Sequence, residues 1–265
     1  MKPKFTFCAV LCLVCATVCL ADVIGRSVTF SDKARQREIP AEVYLPTQGP
    51  VRKLAIISGG YCVAQTAYRF IAADLVGAGY MVVSVQHHLP SDEPLAVSGD
   101  LFKLRMPVWN RGVEDLRFVL SEIKHGYPDV DTTRVVLVGH SNGGDICCLY
   151  ATRYRKDVRC LVTLDHRRMP IPRLRELPVL SIRADEFPAD PGVVPTPEEP
   201  CGFAIRVVRL KNTKHMDLSD EGSTDTKDTV AKMISEFIEI QPNKATVPTT
   251  PSVTPAADAP VAAQL

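Results

Sequence analysis

A serine between glycines, a histidine far downstream and several carboxylates between them are the residues of this chain best suited to chemistry. The serine lies in Gly139-His-Ser-Asn-Gly143, the histidine is His215, and the acids are Asp165, Asp185 and Asp190. A serine hydroxyl is a weak nucleophile until a base takes its proton, and an imidazole titrating near neutrality suits that task. A carboxylate on the far side of the ring then holds the imidazole in the accepting tautomer. Together such groups perform acyl transfer to water through an acyl-serine.

The surroundings of Ser141 give the five-residue pattern its meaning. Arg134-Val-Val-Leu-Val138 reads as a buried strand, and the residues after Gly144 read as a helix. Strand, sharp turn, helix is the context in which G-x-S-x-G displays a nucleophile above a sheet. The chain order serine, acid, histidine then asks for a base after the last strand. Of the six histidines only His215 stands there, in Lys211-Asn-Thr-Lys-His215. His125 falls in a polar turn, His140 inside the elbow and pointing away from Ser141, His87 and His88 after an earlier strand, and His166 after the sixth.

The acid should lie between Ser141 and His215. Asp185, a short step past the strand Pro178–Ile182, is the choice. Asp165, directly after Cys160–Leu164, and Asp190 are the alternatives. Acyl transfer also needs donors for the developing oxyanion. One is the backbone N–H of Asn142, after the nucleophile. The other is expected from Ser58-Gly-Gly-Tyr-Cys62, at Gly60 or Tyr61.

These residues demand elements to hold them. Short strands are expected at Ser27–Phe30 and Glu38–Leu45, then an apolar strand at Lys53–Ser58, a helix over Ala67–Ala78 and a strand at Met81–Val85. The stripe Val113, Leu116, Val119, Leu120, Ile123 predicts a helix. After the elbow come strands at Cys160–Leu164, Pro178–Ile182 and Ile205–Leu210 and a closing helix at Thr229–Ile240. Strands apolar throughout, alternating with helices, indicate a mostly parallel sheet covered on both faces. Chemistry in such sheets collects beyond the carboxyl ends of the strands, where Gly59-Gly60, Ser141, Asp165, Asp185 and His215 all fall.

The ends of the chain are of another kind. Lys2 and Lys4 precede an uncharged apolar run, Phe5 to Leu20, with Ala21-Asp22 behind it. Residues 1–21 have the form of a secretory signal cleaved after Ala21, with an uncleaved membrane anchor as the rival. Residues 22–240 then form one domain without internal repeats. Residues 241–265, rich in Pro, Thr and Ala, are expected to form a disordered tail.

The signal takes two lysines from a chain of formal net charge +1. That balance gives no electrostatic case for nucleic acid, and no stable membrane insertion is expected once the signal is gone. The local cluster Arg167, Arg168, Arg173, Arg175 reads as a solvated loop. Four of the nine cysteines lie in the signal. Cys62, Cys147, Cys148, Cys160 and Cys201 remain, which oxidation could join as two pairs and one thiol. Cys147 and Cys148 are expected to be buried behind the elbow. No spacing resembles a metal site, and neither metal nor organic cofactor is implied.

With those residues placed, the chain resembles the α/β-hydrolase superfamily over about residues 25–240. The elbow, the Gly-Gly-Tyr turn and the late histidine carry the likeness. Within it, Ser84-Val-Gln-His-His88, Leu104-Arg-Met-Pro-Val-Trp-Asn110, Gly139-His-Ser-Asn-Gly-Gly-Asp145 and Asp165-His-Arg-Arg-Met-Pro170 resemble a group of exported bacterial hydrolases. Those are distantly similar to the platelet-activating-factor acetylhydrolase and dienelactone hydrolase branches. The resemblance implies Ser141 as nucleophile, His215 as base and Asp185 as orienting acid, acting on a small carboxylic ester. Acetylhydrolase-type phospholipase, thioesterase and peptidase share the machinery, and an inactive binding module is the non-enzyme alternative. Asp165 to Leu177 is too short for a large helical lid, so the loop from His87 to Met106 is expected to cover the pocket. His87 and His88 are expected to pack in that loop or line the pocket, and Trp109 and Met106 to pack at its junction with the helix.

Overall fold

The computed structural model describes residues 24–196, 198–199 and 202–241. The expected signal segment, the proposed tail beyond Gln241, and Cys201 lie outside the described residues. The elements run β1 (Arg26–Asp32), β2 (Arg37–Tyr44), β3 (Lys53–Ser58), α1 (Arg69–Gly77), β4 (Tyr80–Val85), α2 (Leu101–Gly126), β5 (Val135–His140), α3 (Asn142–Arg153), β6 (Val158–Leu164), β7 (Val179–Arg183), β8 (Ile205–Arg209) and α4 (Thr224–Glu239). A short 3-10 turn, His215–Leu218, precedes α4.

The eight strands form one sheet in the order β1-β2-β4-β3-β5-β6-β7-β8. The pairs β1–β2 and β2–β4 are antiparallel, and every later pair is parallel. This is the α/β-hydrolase fold, as the strand and helix pattern led us to expect.

Alternate residues of the central strands feed two separate cores. From β3 and β5, Leu54, Ile56, Val135 and Leu137 pack on one face with residues of α2 and α3. Ala55, Ile57, Val136 and Val138 pack on the other with residues of α1 and α4. Burial on both faces is why β5 carries no alternation: all six of its residues are buried. The edge strand β8 instead exposes Arg206, Val207 and Arg209, consistent with a charged sheet edge that resists further pairing.

One departure from expectation affects the site. Helix α2 begins at Leu101, not near Val113, with Asp100 capping it through a bond from the Lys103 N–H, and Pro107 lies inside it. Pro107 hid the start, because a proline within a helical pattern reads as a helix boundary. The covering loop therefore ends near Gly99 rather than Met106. That loop is anchored from below. Arg37 donates to the His87 carbonyl at 2.6 Å and pairs with Asp92 at 2.6 Å, and Arg111 adds a second cation 3.2 Å from Asp92.

Candidate active site

Strands β3, β5 and β6 lie side by side, so the turns leaving their carboxyl ends meet. Ser141, at the end of β5, has φ 53° and ψ −123°, a left-handed backbone that is costly for a residue with a Cβ. Its conformation is held from both sides. Its N–H donates to Leu164 O at 2.8 Å, and its carbonyl accepts from Gly144 and Asp145 at 2.9 and 3.1 Å. The turn after β3 packs directly against this elbow. A Cβ on Gly143 would stand 2.1 Å from the Ser58 oxygen, so only glycine permits the approach. Cys62, Asp165 and Asn212, on neighbouring rim loops, also have positive φ. Four of the five non-glycine residues with positive φ among the described residues thus lie on these loops, the fifth being Gln36 between β1 and β2.

His215 lies on the 3-10 turn after β8. Its Nδ1 is 2.6 Å from Asp165 Oδ2, at the end of β6. Asp165 has no solvent exposure, and its other oxygen faces Arg183 at 3.0 Å and accepts from the Ala184 N–H at 3.2 Å. The carboxylate accepts the Nδ1 proton, which leaves Nε2 of His215 as the basic nitrogen. The structure brings Asp165, and not Asp185, to His215. Asp185 is exposed, faces Arg209 at 3.6 Å, and uses its backbone N–H to hold the Thr213 carbonyl. The reason lies in the sheet: β6 adjoins β5, and Asp165 leaves it at once with φ 47°, which turns its side chain inward along the rim. Asp190, the third candidate, pairs with Arg168 at 2.7 Å. Glu186, which the sequence did not single out, accepts the His215 N–H at 2.8 Å and so anchors that residue's backbone.

His140 does more than fill the elbow. Its Nδ1 lies 2.8 Å from the Tyr68 hydroxyl, and its Nε2 lies 3.1 Å from the His215 carbonyl. A carbonyl only accepts, so Nε2 carries the proton and the Tyr68 hydroxyl donates to Nδ1. Tyr68 in turn accepts from the Gly60 N–H at 3.0 Å. One buried chain of bonds thus joins the β3 turn, the elbow and the histidine loop. It also occupies the Gly60 N–H, while Tyr61 and Asn142 line the cavity beside Ser141, Asn142 at the positive end of α3. Trp109, expected as packing, is fully buried and donates from Nε1 to the Asn142 side-chain oxygen at 3.0 Å.

Ser141, His215, Tyr61 and Asn142 line one cavity of about 240 Å³, with Leu95 and Val97 of the covering loop as its wall. His87 and His88 are buried behind it; His88 lies against the Tyr61 ring with centroids 4.3 Å apart. The solvated-loop reading of the arginine cluster is corrected in part. Arg167 and Arg168 line the cavity because the β6 turn folds over the elbow, whereas Arg173 pairs with Glu199 at 3.0 Å. Cys62, Cys147, Cys148 and Cys160 are free thiols; Cys147 and Cys148 are buried as expected, and the oxidised pairs are not formed among the described residues. Nor does any helix among the described residues have the length and apolarity to cross a membrane.

The chain can now be set beside known proteins. The family described as serine aminopeptidase, S33 matches residues 49–164, less than half of the chain. No curated protein matches it in sequence. Among solved structures it is similar to a ferulic acid esterase from Streptomyces cinnamoneus, at TM-score 0.62 and 16% identity, covering 86% of this chain and 92% of that one. A dienelactone hydrolase from Anabaena variabilis gives 0.58 and 16%, covering 83% and 98%. A putative dienelactone hydrolase from Klebsiella pneumoniae gives 0.55 and 15%, covering 82% and 99%.

Burial makes the site sensitive to acid. It lowers both His140 and His166 from 6.5 to about 3, and raises Asp145 from 3.8 to about 6. Between about pH 3 and 6.5 the unfolded chain takes up two histidine protons that the folded one refuses, so stability rises with pH there. Asp145 acts oppositely between 3.8 and about 6, since the folded state holds the proton longer. Two groups outweigh one. Denaturant unfolding should show stability about 3 kcal/mol lower at pH 5 than at pH 7, with a shallower dependence in His140→Gln. Equal or greater stability at pH 5 would contradict the neutral, buried assignment.

Proposed function

The chain is an α/β-hydrolase by fold, and on that premise we propose that it is a serine hydrolase of small carboxylic esters. Ser141 is the nucleophile, His215 the base and Asp165 the orienting acid. The observation that carries the reading is the 2.6 Å contact between His215 Nδ1 and buried Asp165, with Ser141 on a strained bend lining the same cavity.

In this reading Ser141 Oγ attacks the ester carbonyl as His215 Nε2 takes its proton. Asp165 keeps the ring in the accepting tautomer and stabilises the imidazolium that forms. The N–H groups of Tyr61 and Asn142 hold the oxyanion, where one donor is typically worth on the order of 10² to 10³ in rate. Collapse expels the alcohol, which leaves with the proton from His215. A water deprotonated by His215 then attacks the acyl-serine, and the acid departs. Asn142 keeps its place because Trp109 holds its side chain, and His215 keeps its place through His140 and Glu186.

The ferulic acid esterase and dienelactone hydrolase likenesses support ester cleavage over the thioesterase and phospholipase alternatives. The family match raises an aminopeptidase as the second reading. An aminopeptidase must hold a protonated amine, and a cavity lined by Arg105, Arg167 and Arg168 repels one. The apolar segment of residues 1–21 supports export, with cleavage after Ala21. N-terminal sequencing of the exported protein should then begin at Asp22; an intact Met1 would instead favour the anchored alternative.

Turnover of para-nitrophenyl acetate tests the roles. Ser141→Ala and His215→Ala should each lower kcat by at least about 10⁴-fold while circular dichroism stays native. Asp165→Asn should cost on the order of 10³ to 10⁴, and Asp185→Asn less than about twofold. Retained turnover in Ser141→Ala, or a larger loss in Asp185→Asn than in Asp165→Asn, would remove the assignment.

A further inference from the structure

One buried charge beside the site has no part in the acyl-transfer steps. Arg183, the last residue of β7, is buried, and one nitrogen of its guanidinium stands 3.0 Å from Asp165 Oδ1. Another nitrogen donates to the carbonyl of His166. The guanidinium thus spans two successive residues and holds the left-handed turn that aims the acid. The opposite carboxylate oxygen, Oδ2, holds His215 Nδ1 at 2.6 Å. Cation, carboxylate and imidazole therefore form one row, with the carboxylate in the middle. A guanidinium does not give up its proton inside a protein, so the charge at the far end of the row is permanent.

The other charged groups around His215 are placed differently. Glu186 accepts its backbone N–H and not a ring nitrogen. His140 lies 4.7 Å from it, ring centroid to ring centroid, and burial keeps that ring neutral. Arg167 lies on the Phe187 ring, which stands edge-on to His215 at 6.2 Å. Asp217, on the same turn, accepts the Lys214 N–H. Arg209, Asp145 and Arg167 act on Arg183 from further off.

We propose that Arg183 is a positioning residue of this site, which acts through Asp165 to keep the acid ionised and to oppose positive charge on His215. The inference rests on the hydrolase reading above and adds a fourth residue to that same site. A carboxylate alone beside an imidazole favours the imidazolium, which has no lone pair left to take the Ser141 proton. A fixed cation behind the carboxylate offsets that pull, and burial leaves the opposing field little screened. Asp165 still orients the ring, while Nε2 stays free to act as the base.

The pH profile separates this role from mere support. With para-nitrophenyl acetate, Arg183→Gln should move the acid limb of kcat/KM about one unit to higher pH, and Arg183→Lys, which keeps the charge, less than about half as far. A loss in Arg183→Gln that is equal at every pH would overturn the inference and leave the hydrolase reading intact. Arg183→Gln strands the Asp165 charge and risks unfolding, so the doubly neutral variant Asp165→Asn/Arg183→Gln asks the same question. At about pH 8 it should turn over about tenfold faster than Asp165→Asn alone, because the cation that opposes the imidazolium is gone. An equal or slower rate would overturn the inference. Should the wild type turn over no ester, the hydrolase reading falls, and nuclear magnetic resonance titration of the isotope-labelled His215 ring decides the role of Arg183. Its midpoint should stand about one unit higher in the double variant than in Asp165→Asn, and coincident midpoints would overturn the inference.

Discussion

A carboxylate wholly removed from solvent, Asp165, sits between the imidazole of His215 and the guanidinium of Arg183. A lone charge so placed would be severely destabilised, and its neighbours are what make it tenable. That requirement organises the rim of the sheet. Arg183 at the end of β7 must reach across to β6, and the His215 loop must return over both. Asp165 itself takes a left-handed backbone to point inward. The groups that satisfy Asp165 therefore also fix the position of His215, so the electrostatics of burial and the geometry of the site are a single problem.

A second constraint meets the first at the elbow. The β3 turn approaches the start of α3 so closely that no side chain fits at Gly143. With the two backbones in contact, Tyr61 and Asn142 come to line one cavity with Ser141. Tyr68 and His140 then tie this pair of turns to the carbonyl of His215. The β3 turn, the elbow and the His215 loop are linked by a buried hydrogen-bonded chain, in which Tyr68 and His140 each have one partner to donate to and one to accept from. Its neutrality is what acid would disturb.

Much of this was legible in the residues. Central strands such as Val135–His140 are apolar throughout because both faces are covered, and that run followed by Gly-His-Ser-Asn-Gly-Gly points to one architecture. The late histidine followed from chain order. The acid did not, because Asp165 and Asp185 each follow a strand, and the choice depends on which strand end curls inward, a tertiary matter. The role of His140 was hidden for a related reason: its partners are a tyrosine 72 residues away and a backbone carbonyl 75 residues away, neither marked by any local pattern. The arginines after β6 resembled a solvated cluster because sequence alone does not say that their turn folds over Ser141. The start of α2 escaped notice because Pro107, seven residues in, reads as a boundary although the helix tolerates it there.

The account stands on Ser141 being activated within the folded protein. Treating the wild-type chain with a fluorophosphonate and mapping the adduct by peptide mass spectrometry measures this directly. A single modification on Ser141, absent after denaturation before labelling and slowed strongly in His215→Ala, is the predicted result. An unlabelled Ser141 in the native protein, or labelling at equal rate without His215, would contradict the central claim.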